Sequence, residues 1–193
     1  MRTFLKIVGV LVIGTILGLA VTWFTVIRGT WGGDVQDGPW RTSLATGSNA
    51  GSAALRASVA VHGLLALNRS ETIYYTAATD SDGEPLRGTC YYTIEGRDPP
   101  ARWWSITAYG ADDYLIPNPE NLYSVSMHSV DRESDGHFAM LVAKAGSGPD
   151  GYKLVPVVDG PFSLTLRLYN PAPAVAADPA HVALPVITRE KCE

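Results

Sequence analysis

The fold is decided by the stretch Phe162-Ser163-Leu164-Thr165-Leu166-Arg167-Leu168-Tyr169, in which apolar and polar residues alternate strictly. Successive side chains of a β-strand point to opposite faces, so this alternation predicts a strand with one face in a core and the other facing water or a ligand. Residues 103–109 have the same rhythm, with Trp104, Ile106 and Ala108 on the predicted buried side. Both stretches therefore favour a sheet with one packed face.

Further strands are predicted by β-branched and aromatic composition between turn signals. They cover residues 71–77, 90–95, 122–129, 137–143, 153–158 and 182–188. Asp135-Gly136 is typical of a tight hairpin. Residues 52–68 predict one amphipathic helix, capped by Ser52, whose small residues suit close packing on a sheet. Together these features predict a mainly β fold, an antiparallel jelly-roll-like β-sandwich with one packed amphipathic helix.

The N-terminus predicts a single transmembrane helix. Arg2 and Lys6 precede an uncharged run over residues 7–27, whose 21 residues would span about 31 Å as a helix and match a bilayer core. Trp23 and Trp31 lie near its far end, where indole rings favour the membrane interface. Residues 7–27 are therefore the expected contact with membrane lipid.

The orientation and the fate of this helix follow from its flanks. The positive charges before the run predict a cytoplasmic N-terminus in the bacterial inner membrane and a domain in the periplasm. Gly18-Leu19-Ala20 also resembles a signal-peptide cleavage site, so cleavage after Ala20 stays an alternative to the retained anchor that we favour. We divide the chain into an anchor at 1–28, a Gly- and Ser-rich linker at 29–51 and a β-sandwich domain at 52–193.

The two cysteines, Cys90 and Cys192, lie 102 positions apart and form no metal-binding pair. We expect a disulfide that ties the C-terminal tail to the domain, on condition that the domain lies in an oxidising compartment. The alternative is two unrelated free thiols.

Composition and motifs exclude several classes of function. The net charge of −4 and the absence of a basic stripe argue against a nucleic-acid partner. The four histidines share no ligand spacing, so we expect no metal site. There is no glycine-rich phosphate loop, and we expect no cofactor.

Three strings of the sequence resemble a known bacterial family. They are 67–74 (Leu-Asn-Arg-Ser-Glu-Thr-Ile-Tyr), 99–109 (Pro-Pro-Ala-Arg-Trp-Trp-Ser-Ile-Thr-Ala-Tyr) and 162–171 (Phe-Ser-Leu-Thr-Leu-Arg-Leu-Tyr-Asn-Pro). Together they are similar to the domain of unknown function numbered 1214, over roughly residues 70–187. The resemblance implies a jelly-roll-like sandwich and carries no established activity. Many members pair this domain with another, numbered 1254, and we expect the present chain to be a short form in which a membrane helix takes that place.

The polar sides of the two alternating strands give the candidate site. If the strands are neighbours, their aromatic side chains and one arginine share a surface suited to stacking on sugars or holding an anionic group. The candidate ligand-binding residues are Trp103, Ser105, Tyr109, Arg167, Tyr169, Arg69 and Glu71. The alternative is a structural layer in which Arg167 pairs with Glu71 or Glu95 and the aromatic rings pack under the N-terminal helix.

Two functions remain open from the sequence. The first is a non-catalytic envelope module that binds a glycan or a protein through this face. The second is a periplasmic hydrolase of esters or glycosides, which for a glycosidase needs two facing carboxylates from among Glu71, Glu95, Asp112 and Asp113. Scaffolding without a small ligand is a third possibility. No catalytic residue is identified.

Overall fold

The architecture comes from a computed structural model, which describes residues 2–28, 35–48, 51–61, 66–149 and 151–192. Trp31, predicted at the membrane interface, and residues 62–65 of the predicted helix lie outside these ranges. The helical elements are α1 (Arg2–Trp23), a π-helical turn (Phe24–Arg28), α2 (Ala53–Val61) and α3 (Pro173–Ala177). The strands are β1 (Val35–Asp37), β2 (Trp40–Thr42), β3 (Thr72–Ala77), β4 (Cys90–Gly96), β5 (Ala101–Gly110), β6 (Ser124–Ser126), β7 (Phe138–Lys144), β8 (Lys153–Val157), β9 (Phe162–Pro171) and β10 (Val186–Cys192).

The strands form two sheets. The larger sheet has the order β1-β2-β3-β9-β5-β6 with every neighbouring pair antiparallel. The smaller sheet has the order β10-β4-β7-β8. The core fills the space between them, so the mainly β, sandwich-like fold predicted from the sequence is confirmed.

The alternating pattern sorts side chains as predicted. Leu164, Leu166 and Leu168 of β9 are fully buried in the core, as are Trp104 and Ile106 of β5. Their partners on β4 and β7 include Tyr92, Ile94, Met140 and Val142. The inward half of each alternating strand therefore supplies the apolar burial that stabilises the sandwich.

The predicted helix over 52–68 is shorter than expected. Ser52 Oγ accepts a hydrogen bond from the Leu55 N–H at 3.1 Å, as a helix-capping serine should, and the described part of α2 is Ala53–Val61, but residues 66–68 are not helical. Its main neighbour is the π-helical turn Phe24–Arg28 and not a sheet. The expectation that small residues pack this helix onto a sheet was wrong, and only Ser58 of α2 is buried.

The predicted linker at 29–51 is also not wholly a linker. It contains the β1–β2 hairpin, which extends the larger sheet beside β3. Trp40 is buried in the core, and its Nε1 donates to the Pro185 carbonyl oxygen at 2.7 Å. The folded domain therefore includes the chain from Val35 onward, because the burial of Trp40 in the core holds this Gly-rich segment beside the larger sheet.

One strand pair departs from the antiparallel expectation. β8 pairs with β7 in parallel, from Met140 opposite Lys153 to Lys144 opposite Val157. Because the two strands run parallel, the chain must return to the start of β7 before β8 begins. A tight hairpin would have made the pair antiparallel. The smaller sheet is therefore mixed.

The N-terminal helix and the disulfide behave as the sequence suggested. Residues Arg2–Ile27 form a helix long and apolar enough to cross a membrane, and no residue of its most apolar window is buried. Such a helix meets the requirements of an anchor and of a signal sequence alike. Cys90 and Cys192 form a disulfide at directly opposed positions of β4 and β10, which confirms the predicted bridge.

Candidate functional site

The outward side chains of β3, β9 and β5 form one continuous surface, here called the Arg167 face. β9 lies between the other two strands, with Tyr74 of β3 and Ser105 of β5 both opposite Arg167. The face consists of Thr72, Tyr74, Thr76, Trp103, Ser105, Thr107, Tyr109, Ser163, Thr165, Arg167 and Tyr169. Hydroxyl and aromatic groups therefore surround a single central cation.

Arg167 is held by hydroxyl groups and aromatic rings. Its guanidinium donates to Thr107 Oγ1 at 3.1 Å and to the Tyr109 hydroxyl at 2.6 Å. Its Cζ lies 5.4 Å from the ring centroid of Tyr109 and 6.0 Å from that of Tyr74, both within cation–π range. Among the described residues no carboxylate forms an ion pair with Arg167. The cation is thus positioned but not neutralised.

An aromatic pair marks one end of the face. Trp103 and Tyr169 are opposite each other in register, and their ring centroids lie 5.1 Å apart at a tilt of 59°. Both side chains are half-buried. Part of each ring therefore remains open to stack against a planar or sugar surface.

Small hydroxyl residues form the floor of the face. Ser105, Thr107 and Thr165 are only 5–6% exposed because the larger neighbouring side chains cover them. Thr72 Oγ1, beside Tyr169, is buried with no hydrogen-bond partner. The accessible groups of the face are therefore the guanidinium of Arg167 and the aromatic rings of Tyr74, Tyr109, Tyr169 and Trp103.

The predicted site residues separate into two groups. Trp103, Ser105, Tyr109, Arg167 and Tyr169 share this face because β5 and β9 are direct neighbours. Arg69 lies in the turn before β3, and Glu71 is exposed just before that strand begins. They lie toward the Trp103–Tyr169 end. The alternative pairing of Arg167 with Glu71 or Glu95 is not among the ion pairs of the described residues, and Glu95 belongs to the other sheet.

Two important members of the face were missed from the sequence. Thr107 lies on the predicted polar side of β5, but nothing in the pattern singled it out as a partner of Arg167. Tyr74 meets Arg167 only because β3 pairs with β9 across 93 positions of the chain. The alternation within residues 71–77 was the signal that placed Tyr74 on an outward face.

One of the carboxylates considered for hydrolysis lies at a cavity of the described domain. A cavity of about 580 Å³ lies at the other end of the Arg167 face, and its lining includes Asp113, Thr76 and Ser163. Of the four carboxylates considered, only Asp113 lines it. Within the described ranges no three His, Cys, Asp or Glu side chains are arranged to hold a metal ion. None of the cavities found among the described residues is lined by two of the four carboxylates.

The fold is similar to two solved structures of longer proteins. The VPA0106 protein from Vibrio parahaemolyticus is 24% identical with a TM-score of 0.60, and the alignment covers 72% of the present chain and 35% of the Vibrio chain. An uncharacterised protein from Burkholderia cenocepacia is 15% identical with a TM-score of 0.44, over 64% of the present chain and 30% of its own. The present chain thus spans about a third of their length. No curated protein matches.

A family model covers the strands that build the site. Residues 71–173 match the model described as "Protein of unknown function (DUF1214)". This range contains β3, β5 and β9 and hence the whole Arg167 face. The chain belongs to the DUF1214 family.

Proposed function

We propose that this protein is a membrane-anchored binding module of the bacterial cell envelope, which binds an anionic saccharide on the Arg167 face. In this proposal the N-terminus is cytoplasmic, α1 remains in the inner membrane and the sandwich lies in the periplasm. The observation that carries the proposal is the half-buried guanidinium of Arg167, which has no carboxylate partner among the described residues and lies at the centre of a hydroxyl and aromatic surface.

Charge and hydrogen bonding make Arg167 suited to an anion. A guanidinium has five N–H donors, and the contacts to Thr107 and Tyr109 engage two of its nitrogens without supplying any negative charge. A carboxylate or phosphate would complete a charge-assisted, bidentate pair. The two hydroxyl contacts fix the side chain in advance, which reduces the entropy lost on binding.

The remainder of the face suits a saccharide. A sugar ring presents an apolar surface that stacks on aromatic rings and hydroxyl groups that pair with polar side chains, and the face offers both. From Trp103 to Tyr109 it is about 20 Å long, at roughly 3.3 Å per strand residue. That length accommodates several sugar units in an extended chain.

The location is supported by two independent features. Helix α1 is long and apolar enough to span a bilayer. The Cys90–Cys192 disulfide joins strands of the folded domain, and such bridges persist in oxidising compartments such as the periplasm. In the proposed periplasmic location the Arg167 face would be exposed to saccharides of the cell envelope.

The binding test uses the full-length protein in detergent or lipid nanodiscs and an oligosaccharide of uronic acids as the probe. Calorimetric titration of the wild-type protein is expected to give saturable binding. Arg167→Ala is expected to weaken that binding by about 10- to 100-fold, the range for loss of a charged hydrogen-bonding partner.

Arg102→Ala is the matched control. Arg102 precedes Trp103 on β5, is exposed and points away from the Arg167 face, so its replacement removes the same charge without altering the site. It should leave the affinity unchanged. Absence of binding by the wild-type protein, or equal weakening by both variants, would contradict the proposal.

A further inference from the structure

The cavity at the end of the Arg167 face has the size of a ligand site. Its volume of about 580 Å³ falls within the usual range for small-molecule pockets. Three neighbouring strands contribute to it through Arg41 of β2, Thr76 of β3 and Ser163 of β9. Its wall therefore extends the same sheet surface that carries Arg167.

The anchor contributes one residue to the cavity wall. Ile27 lines it, and Ile27 is the last residue of the apolar N-terminal span. Ala78 and Phe162 add further apolar surface. Because the apolar span ends at this residue, a retained anchor places the cavity opening at the bilayer surface.

The loop beside the cavity has the character of a membrane-proximal segment. Asp113 of this loop lines the cavity, while the following Tyr114 is 74% exposed and Leu115 is 43% exposed. An exposed aromatic residue next to an exposed leucine is typical of side chains that enter a membrane interface. This placement agrees with the position of Ile27.

The cavity and the central arginine are close enough to serve one ligand. Ser163 and Arg167 lie on the same side of β9, four residues apart, which is about 13 Å along the strand. Arg41, opposite Thr76 in register, adds a second cation to the cavity wall. Among the described residues Arg41 has no carboxylate partner.

From this arrangement we infer that the ligand is a lipid-linked anionic saccharide taken from the bilayer. Its saccharide lies on the Arg167 face, and the first part of its hydrocarbon chain occupies the cavity beside Ile27. The inference rests on the proposed function, since it assigns the saccharide head to the same face. It adds the ligand class and the route by which the ligand arrives.

The test compares two probes with the same head, methyl glucuronide and dodecyl glucuronide, on full-length protein in nanodiscs. Empty nanodiscs measure the partitioning of the chain into lipid. For the wild-type protein the dodecyl probe is expected to bind on the order of tenfold more tightly than partitioning explains, the gain from burying about two methylene groups.

Ala78→Trp, at an exposed position of the cavity lining and outside the Arg167 face, fills the cavity and is expected to abolish that extra gain while the affinity for methyl glucuronide stays unchanged. Ala111→Trp, also exposed in the same lining, makes the same test if Ala78→Trp does not fold as judged by circular dichroism. Arg167→Ala should weaken the binding of both probes.

The outcomes separate the two proposals. If both probes bind through Arg167 but filling the cavity changes nothing, the lipid-linked ligand is refuted and the proposed function stands. If filling the cavity also abolishes methyl glucuronide binding, the cavity holds the head and the inference is again refuted. If the wild-type protein binds neither probe, the proposed function fails for this ligand class and the inference fails with it.

Discussion

The two faces of strands β5 and β9 differ in the burial and the chemistry of their side chains. On β5, Trp104 is fully buried, while the adjacent Trp103 is half-buried on the opposite face. Trp104 stacks on Phe138 with ring centroids 4.7 Å apart, and its Nε1 donates to Asp98 Oδ1 at 2.8 Å. Trp103 contacts Tyr169 on the sheet surface. The inward residues hold the sheets together, and the outward residues form the polar Arg167 face.

The largest expected effect is on the inward face. Trp104→Ala removes a buried aromatic side chain from the core and should lower the free energy of unfolding by about 3–5 kcal/mol. Trp103→Ala is the matched comparison one residue away, and its cost should be clearly smaller because that ring is already half in contact with solvent. Chemical denaturation of both variants measures the difference. Equal losses would show that the outward face is as structural as the core.

The contrast between the faces was largely predictable, because it depends on local alternation. Strands β5 and β9 and their buried residues followed from the period of two. The β1–β2 hairpin was missed because residues 35–42 carry one large apolar side chain, Trp40, whose burial depends on the distant Pro185. The parallel pairing of β7 with β8 was missed because no local pattern encodes the direction in which a loop returns.

Substitution of the adjacent tyrosines of β3, Tyr74 and Tyr75, is expected to have an intermediate effect on the free energy of unfolding. Tyr75 points inward, where its hydroxyl donates to the Pro179 carbonyl oxygen at 2.9 Å. Burial, with smaller contributions from the negative charges of Asp37 and Asp178, raises the pKa of Tyr75 well above its usual value. The neutral form is therefore favoured in the folded protein, so its stabilisation is complete below pH about 10 and declines as the pH rises further.

Tyr75→Phe should cost about 1 kcal/mol at neutral pH through loss of the hydrogen bond, and it should flatten the fall in stability above pH 10. Tyr74→Phe, on the outward face, should keep the alkaline fall. Thermal melts between pH 7 and 11 compare the variants with the wild-type protein. An unchanged alkaline slope in Tyr75→Phe would contradict this account of the inward face.

The candidate site was only partly predictable. Five of its residues followed from alternation and from the assumption that two strands are neighbours. The contacts that define its chemistry depend on tertiary pairing, since Tyr74 reaches Arg167 only through the β3–β9 register. The cavity depends on Ile27 lying against the β-sandwich, and no local sequence pattern predicts that contact.

The most direct measurement is made on a single variant, Arg167→Met, which keeps an extended side chain over the strands and removes the charge. If the outward face binds an anionic saccharide, the free energy of unfolding should fall by no more than about 3 kcal/mol, the scale of two lost hydrogen bonds, while the affinity for the uronic acid oligosaccharide falls by at least about tenfold. A large loss of stability with unchanged affinity would instead make Arg167 a structural residue and contradict the account.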